Sequence, residues 1–207
     1  MRSSFFIAVG FTLALAGPAA ASMGGAPAPE PAAPRTDPAP GAMLTPRQQA
    51  EQLYGDAYDE VARANKDFAD GKDKNAQKKF KHALDRASDA VKLDTTYAEA
   101  WNLVGYASRK LGDYPRSLDA YDRCLRLKPD YAAAREYLGE AYVELGRVRE
   151  AREQLSWLER LNAADQVKAL ASRIDAWKTT HPDSTAAAPA PAAPDSTAHA
   201  PASGSGR

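Results

Sequence analysis

Between Thr45 and His181 the apolar residues recur every three or four positions, and nowhere do they alternate with period two. That spacing puts them on one face of a helix, so the stretch predicts helices throughout and no strands. The residue types agree, because Ala, Leu, Arg, Lys, Glu and Asp dominate and β-branched residues are few. The first helix opens at Thr45-Pro46-Arg47-Gln48. Threonine suits the N-cap, proline the first helical position, and Gln48 can return the capping-box bond. Leu53, Ala57, Val61, Ala64 and Phe68 then line one face. The polar run from Asp70 to Asn75 interrupts the pattern, and a second helix is predicted over about 74–93, with Phe80, Ala83, Leu84, Ala87, Ala90 and Val91 on one side. Near the end, Val167, Leu170, Ile174 and Trp177 predict a last helix, with Asp165 to cap its start and Pro182 beyond its end.

The middle of this region says nearly the same thing twice. At an offset of 34, Trp101 pairs with Arg135, Val104 with Leu138, Gly105 with Gly139 and Gly112 with Gly146. Further on, Tyr114 pairs with Val148, Ser117 with Ala151, Tyr121 with Leu155, Cys124 with Leu158 and Leu127 with Leu161. The first copy reads Trp101-x2-Val104-Gly105, then Ser117-x3-Tyr121, then Pro129. The second reads Leu138-Gly139-x2-Tyr142, then Ala151-x3-Leu155, with Ala163 where the proline falls. In period and residue types this resembles the tetratricopeptide repeat (TPR).

The resemblance implies an all-α fold, a TPR-type α-solenoid of about three helix-turn-helix units plus a C-terminal capping helix. Units are expected at 54–96, 97–130 and 131–164, with the cap at 165–179. Gly105, Gly139, Ser117 and Ala151 are small so that paired helices approach closely. Tyr121, Leu155, Trp101 and Leu138 are large and fill the space between units. Gly112 and Gly146 stand where a helix ends in a left-handed turn. The first unit is atypical. Gly71, Ala76, Phe80 and Ala83 match the next unit at an offset of 41, whereas Ala90, Val91, Leu93 and Tyr97 match at 34. The difference of 7 is close to two helical turns, so the second helix of that unit is expected to be about two turns longer.

The two ends differ from the middle. Arg2, an apolar run from Phe5 to Ala16, and the small residues Ala19, Ala20 and Ala21 have the three-part layout of a secretory signal over 1–21. The apolar run is about 12 residues, short of the roughly 18–20 that span a bilayer. Export with cleavage near Ala21 is therefore expected, to the periplasm in a Gram-negative host and otherwise to the outside. No stable membrane insertion is expected after cleavage. Residues 22–44 and 182–207 are rich in Pro, Ala, Gly and Ser and are read as a disordered linker and tail around a domain at 45–181. Lys plus Arg and Asp plus Glu both number 27. That balance gives no electrostatic footprint for nucleic acid. Cys124 is the lone cysteine, so no internal disulfide forms.

TPR units commonly take a peptide or partner helix along the concave face lined by the first helix of each unit. The resemblance places Asn102, Tyr106 and Arg109 there in the middle unit, and Glu136, Glu140 and Val143 in the last. The first unit would add Val61, Asn65 and Phe68. Glu136, Glu140 and Glu144 form an acidic stripe opposite Arg109 and Lys110. Those charges either solvate the face and pair with one another, or select a partner of complementary charge. One TPR subclass grips a C-terminal carboxylate with lysines and asparagines, a pattern missing here, and Glu136 and Glu140 would repel such a group. Lys72, Lys74, Lys78, Lys79 and Lys81 read as a solvated face diluted by Asp67, Asp70 and Asp73. His82, His181 and His199 are too scattered for a metal centre, and there is no glycine-rich phosphate loop. No enzyme activity, cofactor or metal is expected. The expected partner is a protein or peptide; the alternative is a self-assembling spacer of the cell envelope, with weak self-association.

Overall fold

The computed structural model describes residues 43–182. The expected leader, the linker up to residue 42 and the tail from residue 183 lie outside them. The described residues form seven α-helices: α1 (Pro46–Ala69), α2 (Asp73–Leu93), α3 (Ala98–Lys110), α4 (Tyr114–Leu127), α5 (Ala132–Glu144), α6 (Val148–Arg160) and α7 (Ala164–Thr180). Within these residues there are no strands. Three antiparallel pairs, α1 with α2, α3 with α4 and α5 with α6, stack in chain order, and α7 closes the stack against α5 and α6. The architecture is the all-α TPR-type solenoid.

Local chemistry explains the ends of the helices. Thr45 and Gln48 bond reciprocally, the Thr45 hydroxyl accepting from Gln48 N–H at 3.2 Å and Gln48 Oε1 accepting from Thr45 N–H at 2.9 Å. Gly112 and Gly146 carry φ of 80° and 72°, the left-handed conformation that ends α3 and α5 without a Cβ penalty. Asp165 does not cap α7. Ala163 holds that position with no side-chain bond, and Asp165 lies inside the first turn, where its charge faces the positive end of the helix dipole. The second helix of the first pair, α2, has 21 residues, whereas α4 has 14.

Packing is close where α3 crosses α4. A methyl group at Gly105 would stand 2.7 Å from the Tyr121 ring, so this position has room only for hydrogen. Ser117 on α4 donates its hydroxyl to the Gly105 carbonyl at 2.9 Å, which binds the two helices at the same level. One apolar core runs from α1 to α5, and a second joins Val143, Ala151 and Leu158 to Leu170 and Ile174 of α7. The cap therefore does what the end of a stack requires: it covers the last apolar face.

The repeat explains one mismatch in its own alignment. Trp101 donates Nε1–H to the Thr95 carbonyl at 2.9 Å, and the Arg123 guanidinium lies 4.9 Å from its ring. At the equivalent positions of the next unit the types are exchanged. Arg135 donates Nε–H to the Pro129 carbonyl at 2.9 Å, and its guanidinium lies 4.0 Å from the Trp157 ring. Trp101 thus meets Arg135 in the alignment because the chain keeps the cation–π pair and the carbonyl bond while swapping which helix supplies the ring.

Candidate partner-binding groove on the concave face

The first helix of each pair packs beside the first helix of the next: α1 against α3, α3 against α5, and α5 against α7. In a stacked-repeat solenoid their shared side is the candidate concave face. Residues at i, i+4 and i+7 share one side of a helix, and on α3 that stripe is Asn102, Tyr106 and Arg109, all buried.

These side chains cross the groove floor and meet the neighbouring helices. The Tyr106 hydroxyl donates to Asn65 Oδ1 of α1 at 3.0 Å. Its ring sits edge-on to Tyr137 of α5, with centroids 5.1 Å apart. Arg109 has a fully buried side chain and reaches α5 twice, with Nη2 2.6 Å from Glu140 Oε2 and Nη1 2.7 Å from Glu144 Oε1. The first contact is at ion-pair distance but off hydrogen-bond alignment, whereas the second is an aligned hydrogen bond. Glu140 takes a second cation from α7, since Arg173 donates Nε–H to its Oε1 at 3.1 Å. A chain of charges, Glu144, Arg109, Glu140 and Arg173, thereby ties three helices together under the floor.

The electrostatics follow from burial. Burial works to raise the Glu140 pKa, but Arg109 and Arg173 more than offset it and hold the carboxyl below the usual range. Glu136, one turn earlier on α5, has no such partner. Burial, with Glu140 adding to it, pushes its carboxyl up to about 7. Lys110 is the mirror case: burial, with Arg109 adding to it, pulls its amine down to about 8. Its ammonium lies 5.4 Å from the Tyr106 ring.

The residues read from the sequence as groove-lining separate into floor and rim. Asn102, Tyr106, Arg109, Glu140 and Val143 are all buried, between 0% and 7% exposed, so they form the floor or lie beneath it. Val61 is buried too, Asn65 and Glu136 are half-buried, and Phe68 is exposed. The opposed acidic stripe and basic edge are largely engaged with each other: Arg109 takes Glu140 and Glu144 and leaves Glu136 and Lys110. Tyr137 and Arg173 complete the arrangement and were absent from the sequence reading. Tyr137 was hidden because its position, read by repeat, faces the core. Arg173 falls outside the apolar stripe that marks α7 in the sequence. Its place next to Ile174 was the available cue.

Away from the groove, Lys79 pairs with Asp67 at 2.6 Å and Lys72 with Asp70 at 3.0 Å, which breaks up the lysine cluster. Among the described residues no group of three His, Cys, Asp or Glu side chains converges as for a metal ion, and no helix is long and apolar enough to cross a membrane.

Comparison with known proteins agrees with this architecture. Two tetratricopeptide-repeat family models match, one over residues 68–132 and the other over 108–174. The chain belongs to the tetratricopeptide-repeat family. A 70-residue stretch is 31% identical to the tetratricopeptide repeat-containing protein trd-1 of Caenorhabditis elegans; it is 34% of this chain and spans 9% of that protein. Among solved structures, this TPR protein is similar to the type III secretion translocator chaperone SycD of Yersinia enterocolitica, with a TM-score of 0.50 and 17% identity over 64% of this chain and 94% of that one. The second TPR of Spaghetti (RPAP3), solved with an HSP90 peptide, has a TM-score of 0.40 and 22% identity over 54% of this chain and 97% of that one.

Proposed function

We propose that this TPR protein is an exported protein–protein interaction module that takes a peptide or partner protein along its concave face. The observation that carries this reading is the division of the face into a braced floor and an unpaired rim. Tyr106 with Asn65, and Arg109 with Glu140 and Glu144, brace the floor from helix to helix, so the groove holds its shape without a guest, and a preformed surface loses less ordering entropy on binding. The rim keeps chemistry in reserve: an exposed Phe68, a Glu136 with no cation and a Lys110 with no anion. Binding of a peptide by the TPR of Spaghetti is a property of that protein; here the support is the groove itself and the family. Export rests on the leader-like residues 1–21.

A photoreactive residue at Phe68, with a control at Lys81 on the outer face of α2, tests this in cells. A discrete crosslinked protein from Phe68 and none from Lys81 supports the concave face. Equal capture from both positions, or only copies of this chain crosslinked to each other, refutes it. The second outcome is the signature of the self-assembling spacer. Fractionation with N-terminal mass measurement checks export: loss of residues up to about Ala21 is expected, and an intact leader in the cytoplasmic fraction contradicts it.

A further inference from the structure

Glu136 is half-buried on the groove side of α5 and has no ion-pair or hydrogen-bond partner among the described residues. The cations that could have closed on it are engaged elsewhere: Arg109 with Glu140 and Glu144, and Arg173 with Glu140. Asn102 stands at the repeat-equivalent position, 34 residues earlier, on the neighbouring helix. It is 1% exposed, and its Oδ1 has no hydrogen-bond partner. Tyr106 and Arg109, further along the same stripe, reach α5 at Tyr137 and Glu140. Asn102 lies one turn before Tyr106 on that stripe, as Glu136 lies one turn before Glu140 on α5.

Asn102 Oδ1 and the Glu136 carboxylate are thus two acceptors at repeat-equivalent positions of neighbouring helices, neither of them receiving a hydrogen bond among the described residues. Leaving a buried acceptor unsatisfied is costly, and a desolvated carboxylate without a cation adds to that. A guest with N–H donors and positive charge relieves both. We propose that Glu136 and Asn102 form a subsite for a cationic side chain, lysine or arginine, carried by the bound partner segment. This rests on the concave-face reading above and adds the chemistry of the partner. It is the reverse of a carboxylate-gripping groove.

Binding is linked to protons. The groups facing Glu136 are Arg109 on α3, Glu140 on α5 itself, and Arg173 and Asp165 on α7. Their charges largely cancel, so burial governs, and the carboxyl is half-protonated near pH 7. Only the ionised form attracts a cation. The competent fraction changes about tenfold between pH 6 and pH 8, and apparent affinity follows it, tighter at the higher pH.

The full chain, labelled with nitrogen-15, is titrated with N-acetyl-lysine methylamide and separately with N-acetyl-norleucine methylamide, which keeps the stem and lacks the amine. The lysine probe is expected to shift the Asn102 side-chain amide and the first turns of α5 saturably, and the norleucine probe is not. Glu136→Gln and Asn102→Ala, each checked for a native-like spectrum, should weaken the lysine probe at least tenfold and several-fold respectively. Equal shifts from both probes, titration curves unchanged in both variants, or no shifts at any pH each overturn the proposal. Failure of the broader reading looks different. A partner captured at Phe68 that survives Glu136→Gln removes the cation subsite and leaves the concave face. Lysine binding with no captured partner does the converse.

Discussion

Replacing Arg109 with methionine removes the central cation of the groove floor while keeping most of its stem, so the loss reports charge rather than a cavity. In the folded protein the Arg109 side chain is fully buried, and Glu140, at 3% side-chain exposure, lies 2.6 Å away. Breaking a buried pair by removing one partner costs about 3–5 kcal/mol, because the remaining charge stays desolvated. Two features favour the lower end. Arg173 still holds Glu140, and Glu144 is 31% exposed and can turn to water. The expected loss is about 3 kcal/mol, or about 10 °C in thermal midpoint for a domain of this size. Circular dichroism at 222 nm during heating, repeated with urea, measures it. The second change Glu140→Gln should restore more than half the loss, since it removes the orphaned charge. The pH dependence carries the sign. In the native protein Glu140 sits below the usual carboxylate range, so its contribution is present above that range and lost as pH falls through the depressed value. In Arg109→Met the largest stabilising neighbour is gone and the carboxyl moves upward, so the deficit should shrink between pH 7 and pH 5. A loss below about 1 kcal/mol, or a deficit flat with pH, would refute the view that the floor is a desolvated ion network.

Gly105→Ala should cost about 1–2 kcal/mol despite the better helix propensity of alanine, because the new methyl meets a buried, rigid ring at 2.7 Å. Gly139→Ala should cost less, because its clash is with the movable tip of Leu170; urea unfolding of both variants tests the order. Exchanging Trp101 and Arg123 should be tolerated within about 1 kcal/mol as a pair. Each single change should cost more than the pair, as the exchanged arrangement at Arg135 and Trp157 already exists. Glu136 is held neutral by burial, so its stabilising share is present at low pH and lost as pH rises through about 7. Glu136→Gln should therefore be more stable than the native chain at pH 8 and nearly equal to it at pH 5, by thermal midpoints at both.

The helical repeat was legible because it is written in spacing and side-chain size. Gly105 and Gly139, Ser117 and Ala151, and the apolar stripes of α2 and α7 are all local statements that need no knowledge of the partner helix. The Thr45 capping box is equally local. The interior of the groove was not legible in the same way. Arg109 and Glu140 are 31 residues apart, a separation that is neither a helical neighbour nor a full repeat. A charged residue is by default a surface residue, so the stripe of glutamates read as an open face. The stacking of parallel first helices turned that face inward: Arg109 paired with Glu140 and Glu144, the pairing the sequence offered as one reading, and Glu136 and Lys110 stayed outside it. Asp165 failed as a cap for a similar reason: the turn after α6 set the helix start at Ala164, one residue before it.

The central claim is that partners enter by the concave face. Hydrogen exchange of the full chain, alone and with the protein captured from Phe68, tests it along every helix at once. Added protection on α3 and α5, strongest around Asn102 and Glu136, with α2, α4 and α6 unchanged, is the predicted result. Protection confined to α2, α4 and α6 would place the partner on the outer surface and contradict the account.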